Sequence, residues 1–251
     1  MQDSLEVGIG NLVDADLAKE SARLTALLNV TQNRVNTGLK VSTAKDNGAI
    51  FAIATSQRAE MGALDSVKQS IQRGQSIVDV ALAAGEIVTK ALEEQKGLAV
   101  AIASSTGDAQ TAYLADFNAL GNEITKALGG ASFDGVNLFK ANAAAVDVRT
   151  GTGAGDTFTV KAIAGADTAV ATAGGAATVA TATTAAVEGA ITAFTAVLGD
   201  LGTKSKSMDR QLTFVSKMQD SLEVGIGNLV DADLAKESAR LTALMTPAAT
   251  G

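Results

Sequence analysis

A run of apolar residues at alternating steps of four and three governs what this chain can fold into. Val187, Ile191, Phe194, Leu198, Leu201, Met208, Leu212, Val215, Leu222, Ile226 and Leu229 keep that spacing, with Ser205 and Gln219 in the two skipped positions. On a helix these side chains form one stripe, the seam of a coiled-coil-like pairing. A single helix cannot bury such a stripe, so a second long helix must lie elsewhere in the chain. The register fails at Asp231-Ala232-Asp233, where an acidic residue falls on the next apolar position. There the helix is expected to end or to change partner.

The partner is legible upstream. Lys45–Ser105 contains no Pro and is rich in helix formers, with Met61, Leu64, Ile71, Val78, Leu82 and Leu92 as inward positions. Read as one helix it runs about 90 Å at 1.5 Å per residue, which predicts a rod. Asp46 is the expected N-cap, and Thr106-Gly107-Asp108 breaks the helix before a second one carrying Leu114, Phe117, Leu120, Ile124 and Leu128. Gly129-Gly130 stops that one. Beyond Ala131 the period changes: Val146, Val148, Phe158 and Val160 alternate with polar residues around the Gly-rich Thr150–Asp156, which predicts a β-hairpin. Ala164–Ala186 is almost entirely Ala, Thr, Gly and Val, and reads equally as a low-complexity linker or as a weak further hairpin. The expected fold class is mainly α with a small β region: an elongated rod of long antiparallel coiled-coil-like helices plus a β-hairpin.

Composition excludes most chemistry. The chain has no His and no Cys, which removes the commonest general base, thiolate metal sites, cysteine nucleophiles and disulfides. Twenty Lys and Arg against 27 Asp and Glu give a net charge of −7, which opposes phosphate backbones and anionic lipid. We expect no nucleic acid, no membrane, no cofactor, no metal and no catalytic residues. The N-terminus has no basic stretch leading an apolar core, so export would proceed without a cleaved signal peptide.

Met1–Leu27 recurs without change as Met218–Leu244, and the copies diverge at Leu28 against Met245. Solenoid repeats are consecutive and drift, so this identity is not a repeat architecture; it reads as an engineered fusion, with a very recent natural duplication as the alternative. Two identical segments cannot fill one packing site. The later copy continues the seam and is expected to win it. The first, with the same Leu5, Ile9 and Leu12 stripe, should be frayed or docked on another molecule.

Three segments, in order, resemble bacterial flagellin, in a style similar to alphaproteobacterial members. They are Asn33–Ala54 (NRVNTGLKVSTAKDNGAIFAIA), Ala131–Phe139 (ASFDGVNLF, with Asp134-Gly135 as turn chemistry) and Asn228–Leu241 (NLVDADLAKESARL). The resemblance covers Leu28–Met245. It divides the chain into the duplicate 1–27, an N-terminal helical part 28–130, a hairpin and variable segment 131–185, a returning helix 186–245 of the same rod, and a tail 246–251. It implies a structural subunit of the flagellar filament, extracellular and self-assembling through helix faces, with other flagellin subunits as partners and a flagellar export chaperone beside them. A hook-filament junction protein and a flagellin-like surface adhesin or receptor ligand are the alternatives. Flagellins begin and end in segments that form the innermost tube, which this sequence replaces at both ends, so the chain is expected to be assembly-deficient.

No residue group suggests catalysis. Asp231 and Asp233, repeated as Asp14 and Asp16, lack the further oxygen donors and Gly turn of a calcium loop, and helix termination explains them. Gly8 and Gly10, with Gly225 and Gly227, lack the strand and third Gly of a nucleotide loop, and Thr150–Asp156 lacks the Walker lysine. The resemblance implies one recognition surface, the stripe on the first long helix read by the innate receptor TLR5, at Leu92, Glu93, Glu94, Lys96 and Leu98. Glu94 stands where the family stripe carries arginine, an inversion of charge that predicts weak or absent recognition.

Overall fold

A computed structural model describes residues 2–140, 145–161 and 175–246, with side-chain surroundings from residue 12 onward. Five helices and one hairpin make up the described chain: α1 (Gln2–Thr37), α2 (Gly48–Ser104), α3 (Gly107–Gly130), β1 (Val146–Arg149), β2 (Thr157–Val160), α4 (Thr184–Val230) and α5 (Leu234–Met245). The mainly helical class with one small β region is as the sequence predicts. The residues fall into two compact units. One joins Met1–Gly62 to Gln219–Gly251; the other is Ala63–Met218.

In the second unit, α2, α3 and α4 supply one core. Leu64, Ile71, Val78 and Leu92 of α2 are buried as their spacing requires, with Phe117, Ile124 and Leu128 of α3 and Val187, Phe194, Leu201, Met208 and Val215 of α4. The rings of Phe139 and Phe194 meet at 5.7 Å between centroids, within the range of favourable aromatic pairs. β1 and β2 form the antiparallel hairpin that the alternation predicts, with Val146 opposite Val160 and Val148 opposite Phe158. The hairpin lies against α2 where Gly74 offers no side chain: a Cβ there would clash with Val148 Cγ2. Arg149 N donates to Ser70 Oγ at 2.9 Å, and Gln211 Nε2 donates to the Thr150 carbonyl at 2.7 Å, fixing the hairpin to both long helices. By length and composition α4 is the one described helix apolar enough to cross a membrane, but its apolar residues form the seam.

Two details depart from the sequence reading. Asp46 does not cap α2. Its Oδ2 accepts from the backbone N–H groups of Ser42 and Thr43, at 3.0 and 2.8 Å, and closes the turn before the helix. Asn47 is the cap, accepting from Ile50 N at 3.1 Å, so α2 starts at Gly48 and not at Lys45. Ala164–Gly174, the first part of the segment read as linker or hairpin, lies outside the described residues, as do Pro247–Gly251 of the tail.

Candidate assembly site

The first unit contains the feature that composition alone could not reveal: one sequence in two structures. Asn11–Leu17 and Asn228–Leu234 are identical, yet α1 runs unbroken through the first, whereas the second ends α4 at Val230 and restarts as α5 at Leu234. Local propensity is the same for both, so the surroundings decide.

What breaks the second copy is the segment after α1. Gly38, at φ +71, ends α1 in the left-handed conformation that glycine reaches without cost and donates to the Arg34 carbonyl at 2.9 Å. The chain then runs antiparallel beside the end of α4, bridging Leu39 to Asp231. The carbonyl of Val230 accepts from Lys40 N at 2.7 Å and Val41 N at 3.3 Å, and the Gly38 carbonyl accepts from Ala232 N at 2.8 Å. Lys40 Nζ donates to the Asn228 carbonyl at 2.8 Å, placing a cation at the negative end of α4. Carbonyls that a helix end leaves without intrahelical partners are thus satisfied from outside. Asp233 then caps α5 by accepting from Lys236 N at 3.1 Å. Asp231 thus stands at the backbone bridge that closes α4, and Asp233 caps the start of α5, whereas Asp14 and Asp16 lie inside the unbroken α1.

Val41, Ala54, Ile226 and Val230 form a small core under this junction, edged by Leu39, Ile50, Phe51, Met61 and Leu229. α5 packs on α1. Arg34 Nη1 meets Glu237 Oε1 at 3.1 Å and Arg240 Nη1 reaches the same oxygen at 3.3 Å. The Glu237 side chain is only 8% exposed. Its other oxygen, Oε2, is buried without a hydrogen-bond partner, so the pair is weaker than its distance suggests. Asp46 belongs to the same unit. The backbone N–H of Thr43, then that of Ser42 and the Ser42 hydroxyl, hold its carboxyl below the ordinary value.

The first copy carries the same stripe uncovered. Val13 is 59% exposed where Val230 is 2%. Leu12, Leu17, Leu24 and Leu27 are exposed, and the Glu20 side chain is 71% exposed beside Arg23. Among the described side chains of α1, cover begins at about Leu28, where α5 reaches it. This copy is helical from Gln2 onward, as part of α1. Among the described residues, ten large exposed apolar side chains lie in the first unit and six in the larger second one. Uncovered apolar surface concentrated on helix faces marks association sites.

The residues of the predicted receptor stripe do not form one surface. Leu92 is fully buried, one of the inward positions of α2, because its spacing places it on the seam. Glu93, Glu94 and Lys96 are exposed, and Leu98 is half-buried. Lys96 Nζ pairs with Glu188 Oε1 of α4 at 2.9 Å. Glu94 and Leu98 line an open groove with Gly97, Asp116, Ala119 and Leu120.

Long seamed helices, a small hairpin and an uncovered apolar helix face define a structural protein that associates through its helices. Comparison with known proteins agrees. The profile "Bacterial flagellin N-terminal helical region" matches residues 11–144, and "Bacterial flagellin C-terminal helical region" matches 184–251. Flagellin FljM of Caulobacter vibrioides is 41% identical over 97% of this chain and 90% of its own. Flagellin FljN of the same organism is 42% identical with the same coverage, and a Brucella melitensis flagellin is 32% identical over 92% and 90%. A crystal structure of Bacillus cereus flagellin, 18% identical, overlays 69% of this chain and 94% of its own with a TM-score of 0.39, too low to bear on the assignment. The chain belongs to the bacterial flagellin family: structural proteins, not enzymes, that assemble with other flagellin subunits into the extracellular flagellar filament.

Proposed function

We propose that this chain is a filament subunit whose own self-assembly is held back by the way the first unit is filled. The observation that carries this is the exposed stripe Val13, Leu17, Leu24 and Leu27, whose sequence is that of α4's end and α5. That sequence is built to sit on the second half of α1 and on Gly38–Val41. In each folded molecule α5 already occupies that place. Subunit contacts through the stripe must therefore displace α5 or find a second, less complementary surface. Ordered growth requires the same contact to form repeatedly, so a contact blocked within each subunit slows it.

Electron microscopy of the purified chain under filament-forming conditions tests this. The reading expects monomers and small oligomers. Long ordered filaments from this chain, without any other flagellin added, would overturn it.

Two further partners concern helix faces, one on α1 and one on α2. An export chaperone has an apolar helix face to cover in the stripe of α1, in the manner of helix-in-groove recognition. Recognition by TLR5 is weak or absent on our reading, because Leu92 is withdrawn into the core, Lys96 is engaged by Glu188 and Glu94 presents a negative charge. A binding assay with the receptor ectodomain, run beside an enteric flagellin, checks this; equal affinity would refute it.

A further inference from the structure

We propose that two molecules pair through α1 as a two-fold antiparallel dimer, in which the first copy of one chain docks on the α1 face that α5 covers within the other. The geometry comes from the contact already present. Within one chain the pairs Arg34 with Glu237, Gly38 with Ala232 and Leu39 with Asp231 descend in one partner as they ascend in the other, so α5 runs antiparallel to α1. Glu20 is the counterpart of Glu237, and Arg23 of Arg240. Placing the first copy where α5 lies therefore puts Glu20 of one molecule on Arg34 of another.

A second consequence is forced. In that register Arg34 of the first molecule meets Glu20 of the second, and Leu27 faces Leu27 across a two-fold axis. The contact is isologous and closes on itself. It cannot form within one chain, because Leu17–Leu27 and Leu28–Thr37 belong to one continuous helix. What it displaces is weakly held: α5 is 12 residues long, too short to persist alone. Its advantage is attachment through Ala232, equivalent to a local concentration of about millimolar. At about 10 µM the unchanged chain is therefore mostly monomeric, and weakening α5 shifts it toward the dimer. The inference concerns pairing and stands apart from filament formation.

The absence of cysteine makes the test clean. Leu27→Cys and Leu17→Cys are prepared in the full chain, and disulfide-linked dimers are followed in a glutathione redox buffer. Leu27 pairs with itself, whereas two Leu17 positions stand about 30 Å apart along the axis at 1.5 Å per residue. Leu27→Cys should cross-link at least tenfold faster. Glu237→Ala added to Leu27→Cys should speed cross-linking about tenfold by loosening α5, and Glu20→Ala should slow it. Circular dichroism confirms that each variant remains helical. Equal rates for the two cysteines, or the same direction of effect for Glu237→Ala and Glu20→Ala, would overturn the proposal.

Discussion

Valine to alanine at two identical places in the sequence should have opposite effects. Val230 lies in the small core with Val41, Ala54 and Ile226, and its carbonyl receives Lys40 N and Val41 N. Removing two buried methyl groups costs about 1.6 kcal/mol at roughly 0.8 per group, and the void left behind raises this to about 2 kcal/mol. Val13 has the same neighbours in sequence but stands exposed in the interior of α1. There Val13→Ala removes little packing and introduces a better helix former, a gain of about 0.5 kcal/mol. The readout is amide hydrogen exchange at Lys40 and Ala232, whose donors close the junction. Val230→Ala should speed their exchange about thirtyfold, since each 1.4 kcal/mol is a factor of ten, and Val13→Ala should leave it unchanged or slightly slower. Equal effects of the two substitutions would refute the reasoning that the junction, and not the local sequence, sets the structure.

Other substitutions test the second unit and the turn. Gly74→Ala should loosen the hairpin by about 1–3 kcal/mol through its clash with Val148, whereas Gly62→Ala, where a Cβ meets open space, should stabilise α2 by about 0.5–1 kcal/mol; urea unfolding measures both. Phe194→Ala should cost about 3–5 kcal/mol by emptying the place beside Phe139, read as a fall in the urea midpoint. Asp46 has a lowered folded-state pKa, so its contribution is present at neutral pH and is lost as pH falls through that value, below about 4. The thermal difference between the parent chain and Asp46→Ala should accordingly shrink from pH 6 to pH 2; a difference that persists at pH 2 contradicts the role given to its carboxylate.

Much of the fold was legible because period carries it. The spacing from Val187 to Leu229 named the buried face of α4, and every one of those residues is at least partly buried. Thr106-Gly107 and Gly129-Gly130 ended helices where expected, and alternation gave the hairpin, though not its register. What sequence could not give was the use of a side chain that has two uses. Asp46 and Asn47 are both capping residues, and only the turn at Ser42–Thr43 decides that Asp46 is spent there. Leu92 fitted both an inward stripe and a surface one, and packing chose the first. The candidate site was half legible: the repeat itself exposed the competition for one place. That the loser stays helical through Asp14-Ala15-Asp16 depends on the absence of a Gly38–Val41 segment beside it, which only the assembled chain reveals.

Backbone chemical shifts of the two copies, resolved by segmental isotope labelling, test the account at its centre. If the junction at Gly38–Val41 dictates structure, Asn11–Leu17 gives uninterrupted helical Cα shifts, while Asn228–Leu234 gives helical shifts to Val230 and extended values at Asp231–Asp233. Matching shifts in the two copies, both helical or both broken, would contradict it.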